Sequence, residues 1–163
     1  MAAPTEVELR DAIDDVALRA LIANYADVVN RREWPELEAL FVADALITID
    51  LRDRAALAVE GPTALGEFIG GAIERFAFFE FVALNVQVQL RARGDVDRAH
   101  VRTYMCELRQ DHEGAFTRAF GIYQDEVTRT SRGWRFSSRS NQSIARGDTT
   151  LGILPPPEIQ DHA

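Results

Sequence analysis

The opening part of the chain carries apolar side chains with a helical period. The spacing i, i+3, i+4, i+7, i+8 predicts an amphipathic helix from about Val7 to Asn30. Its main apolar stripe comprises Ile13, Val16, Ala17, Ala20 and Leu21. A second apolar strip on a neighbouring face comprises Leu18, Ile22, Tyr25 and Val29. A helix that is apolar over so wide an arc is expected to be packed on more than one side.

Shorter elements are predicted between this helix and residue 79. They are a short helix at about Trp34–Phe41, a strand at Leu46–Asp50, a short partner strand at Ala56–Glu60 and a helix from Thr63 to about Phe76. Pro35 suits the first turn of the short helix, where an amide hydrogen would be unpaired in any case. Thr63 is the expected N-cap of the later helix. Three glycines in that helix indicate close packing on a neighbour: Gly66, Gly70 and Gly71.

After Phe79 the hydrophobic period changes from near 3.6 to 2, which predicts strands. Four long strands are expected at Phe81–Arg93, Arg98–Gln110, Ala115–Thr128 and Trp134–Ile144. Hairpin turns are expected at Gly94-Asp95, His112-Glu113-Gly114 and Ser131-Arg132-Gly133. Turns this short connect neighbouring strands, so the four strands should form an antiparallel meander.

Helices followed by a long meander predict an α+β fold. We expect a cone-shaped, curved antiparallel sheet that encloses a pocket, with the N-terminal helices closing it. A single domain is expected over residues 1–145 and a C-terminal tail over 146–163. The run Pro155–Pro157 cannot continue a helix or a central strand, so the tail is expected to lie over the surface or to be partly mobile.

The first long strand has two alternating sets of side chains. One set comprises Val82, Leu84, Val86, Val88 and Leu90, and the other comprises Phe81, Ala83, Asn85, Gln87 and Gln89. One set should face the cone, and the other should face a partner. A homodimer that forms through the sheet is therefore predicted.

Composition narrows the functional classes. The chain has 163 residues, with 18 basic and 26 acidic side chains and a formal net charge of −8, which disfavours nucleic-acid binding. The lone Cys106 excludes an intramolecular disulfide and a clustered-cysteine zinc site. No apolar run is long enough to span a bilayer, and the first residues lack the features of an export signal, so a cytoplasmic protein without membrane contact is expected.

Two segments carry a family resemblance. The segment from Tyr25 to Ala45, and the ending Gly133-Trp134-Arg135-Phe136 followed by Arg139, resemble the SnoaL-like branch of the NTF2-like superfamily. The order of elements fits over about residues 8–145. The superfamily includes scytalone dehydratase, ketosteroid isomerase, lindane dehydrochlorinase and polyketide cyclases. The resemblance implies a cone-shaped α+β barrel, and its motifs are structural rather than chemical.

The dehydratase-like members use an Asp–His dyad, and the resemblance places its two positions on Asn30 and Phe81. Asn30 carries no negative charge and Phe81 carries no proton, so the dyad is predicted to be absent. Ketosteroid isomerase pairs a tyrosine with an asparagine five residues later, as do Tyr25 and Asn30. Its base position falls on Ile49, and Asp50, one residue further along the strand, is a candidate base although a one-residue shift reverses the face of the strand.

Other candidate site residues leave alternatives open. Tyr25 is a pocket hydrogen-bond donor or a core tyrosine, and Asn30 is a polar pocket group or a helix-end residue. Glu107 is a base if it faces the cavity, and a strand carboxylate near an arginine if it faces outward. The resemblance places Arg139 and Ser143 at pocket positions, where an arginine could hold a carboxylate, an enolate oxygen or a halide. Further substrate contacts are expected from Trp34, Phe81 and Tyr104.

Two hypotheses for the function follow. In the first, the protein is a lyase, isomerase or cyclase that moves a proton on an apolar, cyclic, polyketide- or steroid-like molecule. In the second, it is a non-catalytic binding or partner-subunit protein that kept the cavity. No phosphate-binding loop is visible, so no cofactor is expected. The three histidines are scattered at His100, His112 and His162, so no metal site is expected either.

Overall fold

The computed structural model describes residues 3–148, 151–155 and 157–159. Two α-helices, two short 3₁₀ helices and seven strands are assigned in these ranges. The helices are α1 (Glu6–Arg31), α2 (Gly61–Ile73) and the 3₁₀ helices Trp34–Ala39 and Ala92–Gly94. The strands are β1 (Phe41–Asp50), β2 (Leu57–Glu60), β3 (Phe76–Leu90), β4 (Arg98–Asp111), β5 (Phe116–Thr130), β6 (Gly133–Gly147) and β7 (Leu151–Ile153).

Helix α1 buries the second of its two predicted apolar strips. Its start is fixed by a capping box between Thr5 and Glu8. The inward face is formed by Leu18, Leu21, Ile22, Tyr25, Val28 and Val29. Ile13 and Val16, from the predicted main stripe, are instead 67% and 66% exposed. The prediction was wrong because only the strip that contains Tyr25 continues to the end of the helix, where it can contact the sheet along its length.

The strands form one open sheet in the order β2-β1-β6-β5-β4-β3, and β7 adds to β6. The pairs β3–β4, β4–β5 and β5–β6 are antiparallel, as the hairpin turns predicted. Strand β1 pairs in parallel with β6, so the sheet is mixed rather than wholly antiparallel. Short turns fix the direction of consecutive strands only, and β1 is far from β6 in the chain. The predicted α+β architecture, with helices on a curved sheet, is confirmed.

Several element boundaries differ from the predictions. Helix α2 begins at Gly61, with Pro62 in its first turn and Glu60 at the N-cap position, so Thr63 is not the cap. Strand β1 begins at Phe41, earlier than the β-branched run indicated. The tail is also more ordered than expected, since Leu151–Ile153 pairs with the end of β6.

Strand β3 contains a β-bulge that the simple alternation did not predict. Ala83 pairs with Met105 and Asn85 pairs with Tyr104, which leaves Leu84 as an extra residue. Phe81 and Ala83 face the core before the bulge. After it the inward positions are Val86, Val88 and Leu90. Neither predicted set therefore stays on one face.

The outer face of the sheet is largely polar. It forms a shallow hollow of about 380 Å³, lined on that face by Leu46, Thr48, Gln87, Gln89, His100, Arg102, Gln124, Glu126, Ser138 and Ser140. The bulge in β3 adds to the polarity of this face, because it turns Gln87 and Gln89 outward. The homodimer through the sheet stays a prediction. Within the part of the chain that the structure describes, neither helix is both long and apolar enough to cross a bilayer.

Candidate functional site

A cavity of about 170 Å³ lies between the inner face of the sheet, the second half of α1 and helix α2. Most of its wall is apolar. The apolar lining comprises Val29, Ile47, Ile49, Leu51, Leu65, Phe68, Ile69, Ala72, Ile73, Phe76, Phe79 and Phe81. A concave, mostly apolar hollow with a few polar groups is the usual form of a small-molecule site.

Three aromatic rings form the inner part of the cavity wall. Tyr25 and Tyr123 are 2% and 5% exposed, and Phe81 is 3% exposed. The ring of Phe81 meets Tyr25 edge-on at 5.6 Å between centroids and stacks on Tyr123 at 5.6 Å. Such pairs add to the stability that comes from burial alone. Phe81 is therefore an apolar wall residue, and Tyr25 is both a core residue and a lining residue.

Arg139 lies among these rings and is bound to a buried carboxylate. Its Nε and Nη2 atoms donate to the two carboxylate oxygens of Asp125 at 2.7 and 2.9 Å. Its Cζ atom is 4.0 Å from the ring centroid of Tyr25 and 4.3 Å from that of Tyr123. The third nitrogen of its guanidinium group, Nη1, is buried without a hydrogen-bond partner among the described residues. Arg139 thus faces the cavity with most of its charge already compensated by Asp125.

Burial controls the ionisation of this inner cluster. It raises the pKa of Tyr25, an effect that the positive charge of Arg139 opposes. It raises the pKa of Tyr123 well above the ordinary value, and the neighbouring Tyr25 adds to that shift. Burial also raises the pKa of Asp125, again against the effect of Arg139. For Arg139 burial acts to lower the pKa, but the charge and hydrogen bonds of Asp125 outweigh it and raise the pKa. Both phenols therefore keep their protons and act as hydrogen-bond donors.

Glu107 is the acidic side chain that lines this cavity in the part of the chain described. It lies on β4 directly across from Phe81 on β3. Its carboxylate accepts a hydrogen bond from Nη2 of Arg109, and its side chain is 21% exposed. Both of the alternatives considered for Glu107 hold in part, because it lines the cavity and is paired with an arginine.

Four charged lining residues reach solvent, and we call this group the mouth of the cavity: Arg75, Glu107, Arg109 and Arg146. Arg146 donates to Asp53 at 2.6 Å and to the backbone oxygen of Leu51. The guanidinium carbons of Arg75 and Arg109 lie 4.8 and 5.7 Å from the ring centroid of Phe76. The mouth is therefore rich in guanidinium groups.

Asn30 does not line the cavity, so of its two alternatives the helix-end residue describes it. Its side-chain Nδ2 donates to the backbone oxygen of Phe81 at 2.9 Å, and its Oδ1 accepts from the backbone nitrogen of Phe81 at 2.7 Å. Both polar groups of the amide are thus used to hold the strand. Asn30 occupies the helix end, where it fastens α1 to β3.

Four other predicted site residues also lie outside the lining. Asp50 accepts from the backbone nitrogen of Arg52 at 2.8 Å, while its neighbour Ile49 lines the cavity. Trp34 packs beneath α2, and Tyr104 is on the opposite face of β4 from Glu107. Ser143 is buried on β6 but is not a lining residue. For Asp50 and Tyr104 the reason is strand alternation, which turns neighbouring residues to opposite faces.

Several lining residues were not predicted from the sequence. They are Tyr123 and Asn141 on the inner wall, and Arg75, Arg109 and Arg146 at the mouth. Arg109 could have been predicted from Glu107, because the two residues are two positions apart on the same strand and so share a face.

A comparison with protein families shows to which family the chain belongs. A family model described as a SnoaL-like domain matches residues 10–140. The chain belongs to the SnoaL-like domain family. This SnoaL-like chain also shares its fold with crystal structures of proteins that are 18–21% identical to it in sequence. No curated protein sequence matches it.

Three of the similar structures illustrate the range of the SnoaL-like fold. A provisionally named scytalone dehydratase from Novosphingobium aromaticivorans has a TM-score of 0.74 at 18% identity, over 93% of this chain and 97% of that one. A hexachlorocyclohexane dehydrochlorinase from Novosphingobium barchaimii has a TM-score of 0.74 at 18% identity, over 91% and 99%. An NTF2-like protein with a cystatin-like fold from Novosphingobium aromaticivorans has a TM-score of 0.69 at 21% identity, over 85% and 86%.

The two histidines that the structure describes in this SnoaL-like chain are away from the cavity. His100 is on β4 at the outer face, His112 is in the β4–β5 turn, and His162 lies outside the described residues. Among the described residues, no three His, Cys, Asp or Glu side chains form a group that could hold a metal ion.

Proposed function

We propose that the protein is a lyase or isomerase that moves a proton on a small, mostly apolar carbonyl compound without a cofactor. The single observation that carries the proposal is the placement of Glu107. This carboxylate lines an apolar cavity opposite Phe81, and the phenols of Tyr25 and Tyr123 line the inner wall of the same cavity. Membership of the SnoaL-like family supports the reaction class, as does the fold shared with a dehydratase and a dehydrochlorinase.

Glu107 is placed to take over the role of the base that the missing dyad would supply. Phe81 occupies the position that the family resemblance gives to the catalytic histidine, and residues paired across antiparallel strands have side chains about 5 Å apart. A carboxylate opposite Phe81 therefore reaches the same part of the cavity. Glu107 would remove a proton from the carbon next to the carbonyl group.

The two buried phenols would stabilise the product of that step. When the C–H electron pair moves into a new C=C bond, negative charge develops on the carbonyl oxygen. Tyr25 and Tyr123 keep their protons because burial raises the pKa of both. Tyr25 can therefore donate a hydrogen bond to the enolate oxygen, and Tyr123 supports it by donating to the hydroxyl oxygen of Tyr25. The enolate then either expels a leaving group from the next carbon or takes the proton back from Glu107 at another carbon.

The cavity volume limits the substrate. Pockets for drug-sized ligands have volumes of about 300–1,000 Å³. The cavity here has about 170 Å³. A substrate with one or two rings fits this space, whereas a four-ring steroid or polyketide does not.

Proton exchange provides a direct test. We expect the protein to accelerate hydrogen–deuterium exchange at the α-carbons of 2-tetralone in D₂O, followed by proton NMR. Glu107→Gln should slow the catalysed exchange by about 100-fold or more, the usual weight of a general base. Tyr123→Phe should slow it by about tenfold or more. Glu113→Gln is the matched control, because Glu113 is exposed in the β4–β5 turn. Exchange no faster than in buffer, or equal rates for Glu107→Gln and the wild type, would contradict the proposal.

A non-catalytic binding protein is the second candidate. It is favoured by the ion pair between Glu107 and Arg109, which engages the only candidate base of the described lining. In that case 2-tetralone should bind saturably, and its α-protons should exchange at the rate of the protein-free buffer.

A further inference from the structure

The charge of the cavity is opposite to that of the chain. The whole protein has a formal net charge of −8. The charged lining residues of the cavity are nevertheless four arginines and one carboxylate: Arg75, Arg109, Arg139, Arg146 and Glu107. An acidic protein that lines one cavity with guanidinium groups concentrates positive potential there.

The pairing of these arginines leaves one of them unneutralised. Arg139 is bound by Asp125, Arg146 by Asp53 and Arg109 by Glu107. Arg75 has no carboxylate within salt-bridge distance in the part of the chain described, and its guanidinium lies over the ring of Phe76. One uncompensated positive charge therefore remains at the mouth.

A second arginine at the mouth has unused hydrogen-bonding capacity. Nε of Arg109 is buried without a hydrogen-bond partner among the described residues. Its guanidinium shares the ring of Phe76 with that of Arg75. An anion bound between these two groups would meet the uncompensated charge of Arg75 and the unused N–H donor of Arg109. Planar guanidinium groups match carboxylates particularly well, because they offer two parallel N–H donors.

We infer that the cavity takes an organic carboxylate, whose charged group binds Arg75 and Arg109 at the mouth while its one- or two-ring body enters the apolar interior. This inference rests on the proposed function only in taking the cavity as the ligand site. It adds the substrate class, which is an amphipathic acid rather than a neutral hydrocarbon-like molecule. The apolar body is retained by Phe79, Phe81 and the side chains of α2.

The test compares an acid with a neutral molecule of the same shape. Naphthalene-2-carboxylate and 2-naphthamide are titrated into the wild-type protein at low ionic strength, with calorimetry or ligand-observed NMR as the measurement. The acid should bind at least tenfold more tightly than the amide. Arg75→Gln should weaken binding of the acid by about tenfold and leave binding of the amide unchanged. Added salt should weaken binding of the acid selectively.

Arg132→Gln is the matched control, because Arg132 is an exposed arginine in the β5–β6 turn and does not line this cavity. It should leave both affinities unchanged. Three results would overturn the inference: equal affinities for acid and amide in the wild type, equal effects of Arg75→Gln and Arg132→Gln, or no saturable binding of either probe.

Glu107→Gln separates this inference from the proposed function. It removes the negative charge at the mouth, so it should tighten binding of the acid while it slows exchange of 2-tetralone. If exchange is unaffected but the acid preference depends on Arg75, the proposed base is wrong and the ligand class stands. If exchange depends on Glu107 but acid and amide bind alike, the reaction class stands and the ligand class is wrong.

Discussion

The side-chain amide of Asn30 forms two hydrogen bonds with the backbone of Phe81, as a neighbouring strand would do. The amide of Asn30 both donates to and accepts from the backbone of Phe81. A carboxylate at position 30 could only accept, so it would leave the Phe81 oxygen without its donor. Asparagine is thus suited to fastening α1 to β3 at the edge of the cavity.

Removal of this amide should destabilise the protein. Asn30→Ala leaves the two backbone groups of Phe81 without their partner, and each such loss costs about 1–3 kcal/mol when the group is shielded from water. Because Asn30 is exposed, water can replace part of its amide, so we expect the free energy of unfolding in urea to fall by about 1–3 kcal/mol in total. Asn24→Ala is the control, because Asn24 is exposed on the same helix. Equal stabilities of the two variants would show that the contact contributes nothing.

The buried pair of Arg139 and Asp125 should be far more sensitive than an exposed one. Its side chains are 1% and 0% exposed. Asp125→Asn leaves the guanidinium charge uncompensated among aromatic rings, which typically costs about 3–5 kcal/mol. Asp27→Asn, at an exposed pair with Arg31 on α1, should cost less than about 1 kcal/mol. Chemical denaturation of both variants measures the difference, and similar costs would contradict this account.

The glycines of α2 provide a steric test of its packing on Trp34. A Cβ atom at Gly66 would lie 2.9 Å from Cβ of Trp34, and one at Gly70 would lie 3.1 Å from its Nε1 atom. Gly66→Ala should therefore lower the melting temperature. Gly71→Ala meets nothing within 4 Å. It should be neutral or stabilising by up to about 1 kcal/mol, because alanine favours the helix. A lower melting temperature for Gly71→Ala than for Gly66→Ala would refute this packing.

Stability should depend on alkaline pH through the two buried phenols. The pKa of Tyr25 and that of Tyr123 are raised on folding, from an ordinary value of about 10. Between the unfolded and folded pKa values the folded state binds more protons than the unfolded state, so stability is fully present below about pH 10 and falls as the pH rises further. The Tyr25→Phe, Tyr123→Phe double variant should lose less stability between pH 9 and pH 11 than the wild type. Parallel pH profiles in urea denaturation would contradict the assigned shifts.

The change of hydrophobic period near Phe79 was enough to predict the order of helices and strands, because alternation and helical spacing are local properties. The short turns likewise predicted the antiparallel meander. The parallel pairing of β1 with β6 joins segments far apart in the chain, and no local pattern encodes it. The choice between two apolar strips on α1 also depended on the sheet, which exposes Ile13 and buries Tyr25.

The candidate site was predictable to a similar degree. Tyr25, Phe81, Glu107 and Arg139 were named from the sequence, and all four line the cavity. For Asn30 the sequence left two alternatives open, because an amide side chain can bind a backbone as readily as a ligand. Tyr123 and Arg109 were missed because their positions follow from the register between strands, which the sequence alone does not reveal.

The extra residue at Leu84 makes β3 a strand of two independent halves. The half that contains Phe79 and Phe81 lines the cavity, while the half that contains Val86 and Val88 packs against the core. Because the phase of the side chains is reset between them, each half keeps its own inward positions, so a side chain of the cavity half can change without altering which residues of the other half face the core.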